Sequence, residues 1–114
     1  MILVETILKK QFQKVKTEKT MINNLKVIRD FKQLIKKFIN EGRIKKRIVK
    51  FEKNEFDDIV FKSITFYENK EIYQKCFEDG LENEEKKLKE AGFEINVSIK
   101  EFSKNLEKTI DKYS

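Results

Sequence analysis

The order of apolar patterns along this 114-residue chain predicts an α+β fold of the ferredoxin-like type. In that arrangement a βαββαβ sandwich carries both helices on one face of a four-stranded antiparallel sheet. Three observations predict it. An extended run, a long amphipathic helical pattern and a second extended run follow one another from Ile2 to Phe51, and again from Ile59 to Phe102. Each helical pattern stops at a glycine, Gly42 and then Gly92. The first and third extended runs are apolar on both faces, whereas the second and fourth are polar on one, which places the former pair centrally and the latter at the edges.

The first run alternates on its even positions, Ile2, Val4, Thr6, Leu8 and Phe12, with the period of a strand. Val4, Leu8, Phe12 and Val15 also fall at helical spacing, so a helix over residues 2 to 16 is the alternative. Agreement with the global topology favours the strand. Residues 20 to 40 read as a helix with Met21, Leu25, Ile28, Phe31, Ile35 and Phe38 on one stripe and Lys26, Arg29, Lys36 and Lys37 opposite. Gly42 supplies its C-terminal stop.

Residues 46 to 53 form the second strand with Val49 and Phe51 inward, and Asn54 to Asp58 form a polar hairpin turn. The third strand, Ile59 to Tyr67, is β-branched and aromatic. Asn69 is a suitable N-cap for a second helix that runs to about Ala91, with Ile72, Tyr73, Cys76, Phe77, Leu81 and Leu88 apolar and Gly80 as a kink. The last strand, Glu94 to Phe102, alternates Ile95, Val97 and Ile99 with Asn96, Ser98 and Lys100. Ser103 then caps a short C-terminal helix presenting Leu106, Ile110 and Tyr113. With no proline, linker or low-complexity segment, the chain reads as one domain, 1 to 114, with a core over 1 to 102 and a helical extension over 103 to 114.

Composition narrows the chemistry. Ten Phe and three Tyr supply core bulk, and 40% charged residues leave no stretch suited to spanning a bilayer. The start, Met1-Ile2-Leu3-Val4-Glu5, meets an acid before an apolar leader can form, so a cytoplasmic location is the expectation. One cysteine and no histidine exclude an internal disulfide, a cysteine-built zinc site and Ser-His-Asp or Cys-His catalysis within one chain. No metal site and no cofactor are expected. The acidic run Glu82-Asn83-Glu84-Glu85, with Lys86, Lys87 and Lys89 alongside, reads as a solvated helix face.

Charge is uneven. Residues 1 to 53 carry 16 Lys/Arg and 5 Asp/Glu, whereas residues 54 to 114 carry 10 and 15. Arg43, Lys45, Lys46, Arg47 and Lys50, with Lys9, Lys10, Lys14 and Lys16, could form a nucleic-acid or protein-interaction surface. Against that, base-stacking aromatics and the glycines of RNA-recognition strands are missing. The simpler reading is a solvated edge that discourages strand addition, because two interleaved repeats should not turn sequence halves into spatial halves.

The two sheet faces have different compositions. Lys62 should point away from the helices, with Val60, Ile64 and Phe66 beside it and Leu3, Glu5, Ile7 and Lys9 on the first strand. Glu5 and Lys62 are expected to pair, and the five apolar side chains around them ask for a partner, most simply a second copy. Covering them would yield about 8 to 15 kcal/mol against an association cost of about 4 to 15 kcal/mol. The helix-covered face gathers Thr6, Ser63, Thr65 and Tyr67, with Tyr73 and Cys76 from the second helix. Hydroxyls in an apolar layer suit a small-molecule cleft, although small hydroxyl residues also simply let helices approach.

The stretch Val60-Phe61-Lys62-Ser63-Ile64-Thr65-Phe66-Tyr67-Glu68-Asn69-Lys70-Glu71-Ile72-Tyr73 resembles the third strand and helix entry of dimeric α+β barrel proteins of the antibiotic biosynthesis monooxygenase type. The likeness extends over most of residues 1 to 100. It implies a homodimer paired through its sheets and a small apolar or aromatic ligand between sheet and helices. Any activity it implies is a cofactor-independent, monooxygenase-like oxidation. Thr6 stands where active members tend to have Asn, and Phe66 or Tyr67 where they have Trp. Tyr73 and Cys76 lie nearest the His of haem-degrading members. These departures point to binding rather than catalysis, and a buried Cys76 is most simply a core thiol.

Overall fold

The computed structural model describes residues 1–10, 18–53 and 59–101, with side chains over 1–10, 24–52 and 60–101. Strand β1 (Ile2–Lys10) leads to helix α1 (Glu18–Asn40), β2 (Ile44–Lys53) and β3 (Ile59–Tyr67). Helix α2 (Lys70–Cys76), a π turn (Phe77–Leu81), helix α3 (Glu82–Glu90) and β4 (Glu94–Glu101) complete it. The sheet runs β2-β3-β1-β4, antiparallel throughout, so the first and third strands are central as their two-sided apolar pattern requires. The N-terminal segment is a strand, and the helical alternative for it is excluded over residues 2–10. Phe12, the Met21 side chain, the 54–58 turn and the 103–114 helix lie outside what is described.

α1 contains no Gly or Pro, and it buries Val27, Phe31, Ile35 and Phe38. At about 1.5–3 kcal/mol for each fully buried large side chain, that stripe, rather than helix propensity, secures α1. Leu25, expected on the stripe, is 63% exposed. Six residues before Phe31 it lies a third of a turn off the buried line. Lys37 in the last turn complements the helix dipole.

Both helical segments end alike. Gly42 has φ +77°, its N–H bonds to Ile39 and the Arg43 N–H reaches back to the Phe38 carbonyl at 2.9 Å. Gly92 has φ +94°, with Phe93 N–H on Leu88 at 3.0 Å. In each case a left-handed glycine satisfies the orphan carbonyls and turns the chain directly into a strand. β2 therefore starts at Ile44, earlier than the charged Lys45-Lys46 pair suggests, because Ile44 is itself core at 1% exposure. Lys45 is accommodated in an irregularity of the β2–β3 register.

Asn69 caps α2 as expected, accepting the Ile72 N–H at 2.9 Å. Gly80 is the kink that the sequence predicts, its backbone departing from helical geometry within the π turn. A Cβ there would come within 2.9 Å of a Leu34 methyl, so the glycine allows the turn to approach α1 closely.

Candidate functional site

The sequence nominates three surfaces, and the register decides what each contains. On the helix side, Val4 faces Thr65 and Thr6 faces Ser63 across the central strands. This brings Thr6, Ser63 and Thr65 together with Tyr67, Tyr73 and Glu85 around a cavity of about 10 Å³. That is room for about one water molecule, far below the several hundred cubic ångströms of a ligand pocket. Tyr67 and Tyr73 meet edge to face at 5.1 Å. Thr65 Oγ1 lies 3.5 Å from both the Val4 carbonyl and the Tyr67 hydroxyl. Burial raises both phenols well above the ordinary tyrosine value, Tyr73 to about 12, so neither is a ready source of phenolate near neutrality.

Cys76 is completely buried and is not among the cavity-lining residues. Burial raises its thiol above the ordinary value, partly offset by a hydrogen bond from Arg43, and a protonated buried thiol is a poor nucleophile. Glu85 corrects the reading of the acidic run as wholly solvated. It is half-buried, lines the cavity and has a raised pKa caused first by burial. The signal for it was available: Glu85 follows Leu81 by four residues and precedes Leu88 by three, on the buried stripe.

On the helix-free face, Leu3, Ile64 and Phe66, with Ile48 from β2, are at most 9% exposed within a single chain. Glu5, Ile7, Val60 and Lys62 are half-buried. Lys62 lies opposite both Ile7 and Lys50, and its ammonium is 3.5 Å from Glu52. Glu52, which sequence reasoning did not name, also takes Lys50 at 3.1 Å, and these two cations hold its carboxyl below the usual value.

The third surface is where topology changes the reading of charge. β2 is an edge and α1 packs on it, while α3 packs on β4 at the opposite edge. Residues 18–53 carry 12 Lys/Arg against 4 Asp/Glu, and residues 70–101 carry 6 against 9. The strand order alternates the two halves of the sequence, as expected, yet the two edge strands and the helices packed on them belong to a net-basic and a net-acidic segment. Lys32 identifies the flank of α1 turned to β2, since its ammonium lies 5.0 Å from the Phe51 ring centroid and 5.5 Å from that of Phe61. Arg29 and Lys36, three back and four on, share that flank and are exposed. From β2 come exposed Lys45, Lys46 and Lys50, and Phe51, which is 55% exposed and packs edge to face on Phe61.

Arg47 stands opposite Thr65, on the helix side of β2. Its guanidinium is partly desolvated, which lowers its pKa, and Nε and Nη2 are buried without a hydrogen-bond partner among the described residues. Arg43, nominated with it, is otherwise engaged: it bonds Asp79 at 2.6 Å, lies 3.7 Å from Glu41 and stacks over Phe38. Lys10 is a clear correction. It is 6% exposed on the helix side, donating to Asn24 Oδ1 at 2.8 Å and to the Ala91 carbonyl at 2.6 Å. Its even position on β1 puts it under the helices, so it serves the end of α3 rather than a partner. Lys14 and Lys16 lie outside the described residues.

Among the described residues no cluster of His, Cys, Asp or Glu could hold a metal ion, and no helix is long and apolar enough to cross a membrane. No family model and no curated protein matches the chain. Solved structures do match it in fold. The de novo designed protein Foldit4 superposes with a TM-score of 0.62 at 17% identity, over 90% of this chain and 98% of that one. A second design, Ferredog-Diesel, gives 0.53 at 12% identity over 84% and 83%. A dimeric ferredoxin-like protein from an uncultured marine organism gives 0.53 at 20% identity, over 91% of this chain and 100% of that one. At these identities the likeness establishes the ferredoxin-like fold.

Proposed function

We propose that the chain is a non-catalytic binding protein whose α1–β2 side takes single-stranded nucleic acid. The carrying observation is the basic β2 edge: Arg47 and the exposed ring of Phe51 lie on its helix side with Lys32, Arg29 and Lys36 of α1, exposed Lys45 sits at the register irregularity, and Lys46 and Lys50 project from the other face of the same strand. Cations that track a phosphate backbone beside an aromatic platform are the elements of sequence-tolerant single-strand binding. Phe51 lies on an edge strand rather than on the central strands that RNA-recognition domains use.

Fluorescence anisotropy with a labelled single-stranded oligonucleotide tests it. Affinity should fall with salt, with a log–log slope of about −0.7 for each phosphate contacted. Lys45→Glu with Lys46→Glu should flatten that slope, whereas Phe51→Ala should weaken binding by about 1–3 kcal/mol and leave the slope unchanged. Absence of binding at low salt, or affinity indifferent to both changes, would remove the proposal.

A second reading is a small apolar or aromatic ligand held between sheet and helices, as the monooxygenase resemblance implies. It draws support from the hydroxyls of Thr6, Ser63, Thr65, Tyr67 and Tyr73 around one cavity. At about 10 Å³ that cavity requires the helices to lift before anything larger than water enters. Melting temperatures that do not respond to a panel of small aromatic compounds would count against it.

A further inference from the structure

β4 is one edge of the sheet, and among the described residues no strand pairs with its outer side. Its register with β1 sets Ile95, Val97 and Ile99 beside Leu8, Thr6 and Val4 on the helix side, and Glu94, Asn96, Ser98 and Lys100 on the other. The helices do not cover all of it: Val97 is 39% exposed and Ile99 46%.

The segment Glu94-Ile95-Asn96-Val97-Ser98-Ile99-Lys100 is self-complementary about its centre. If two copies run antiparallel with Val97 opposite Val97, Glu94 meets Lys100, Ile95 meets Ile99 and Asn96 meets Ser98, each twice by symmetry. Opposite charges, an amide with a hydroxyl and two branched apolar side chains are favourable cross-strand neighbours. Centring the pair on Asn96 or Ser98 instead leaves Lys100 or Glu94 without its counter-charge. A slip of one residue between the strands sets apolar side chains against polar ones. The other edge is defended: β2 carries the irregularity at Lys45 and a row of lysines, both of which oppose strand addition. β4 has neither proline nor a register irregularity against β1.

We infer that two copies of the chain associate through β4, antiparallel and centred on Val97, into one continuous eight-stranded sheet. The contact is isologous, so it closes at a dimer, and it covers Val97 and Ile99 while bonding the edge that no described strand pairs. It differs from pairing through the helix-free face, and it stands independently of the nucleic-acid reading.

Sedimentation equilibrium of the full chain over micromolar concentrations tests it, with circular dichroism as the check on folding. A monomer–dimer equilibrium is expected. Glu94→Lys and Lys100→Glu should each weaken it about tenfold, since either creates two like-charge contacts. The double reversal E94K/K100E recreates both pairs and should restore wild-type association. Backbone amides on the outer edge of β4 should exchange more slowly as protein concentration rises, a readout that needs no variant. A monomer at hundreds of micromolar would overturn the inference. So would a dimer indifferent to the single reversals, or a folded double variant that stays as weak as the singles.

Discussion

Lys10 and Glu85 are the charged side chains whose positions matter most to the interior. The Lys10 ammonium bridges β1 to α1 through Asn24 and to the end of α3 through the Ala91 carbonyl, and it lies 5.1 Å from the Phe93 ring centroid. Lys10→Met keeps the aliphatic stem but leaves both acceptors without this donor, and should cost about 1–3 kcal/mol in urea unfolding. An unchanged midpoint would show the bridge to be dispensable. Glu85 gives a pH dependence of definite sign. Its folded pKa is raised, chiefly by burial, so the fold holds the proton more tightly than the unfolded chain does. Stability from this group is complete below the unfolded value of about 4.3 and declines as pH rises toward the higher folded value. Glu85→Gln should therefore gain in melting temperature relative to wild type between pH 4 and pH 7. Asp79 and Glu52, whose pKa values are lowered, lose their contribution on acidification, but they are common to both proteins and cancel in the comparison.

At the scale of elements, local chemistry decides where helices start and stop. Gly42 and Gly92 could be read as stops because the left-handed backbone that returns a helix to a strand excludes most other residues. Asn69 was readable for the same reason, as its short carbonyl reaches the third N–H of the helix it starts. Asn69→Ala should cost about 1 kcal/mol, measured by denaturant unfolding, and Asn69→Asp should recover most of it. An equal loss in both variants would assign the effect to something other than capping. The π turn was less legible. Gly80 suggested a break, but the pressure that shapes it comes from Leu34 on another helix, 46 residues earlier in the chain. The same limit explains Leu25, whose place on an apparent stripe was overruled by how α1 rolls on the sheet.

On the scale of the whole molecule, strand order turns composition into geography. Placing β2 and β4 at opposite edges, each with its own helix, separates a basic side from an acidic one, although the two repeats interleave. An edge strand needs only one partner strand, which leaves β2 with room for an exposed Phe51 among cations and β4 with room for a second copy. The central strands have no such freedom. Their hydroxyls, Thr6, Ser63 and Thr65, are packed under helices that leave about 10 Å³ between them.

By itself the sequence determined the fold class, the central and edge strands, the cap at Asn69 and the two glycine stops. Periodicity and backbone sterics act over a few residues, and those few residues were in view. Only the tertiary structure decided that Lys10 and Glu85 face inward, that Glu52 joins Lys50 and Lys62, that the hydroxyl layer closes to the size of a water and that Lys32 of α1 meets Phe51 of β2. Each of these depends on which element lies against which, and burial is a property of that contact rather than of the residue.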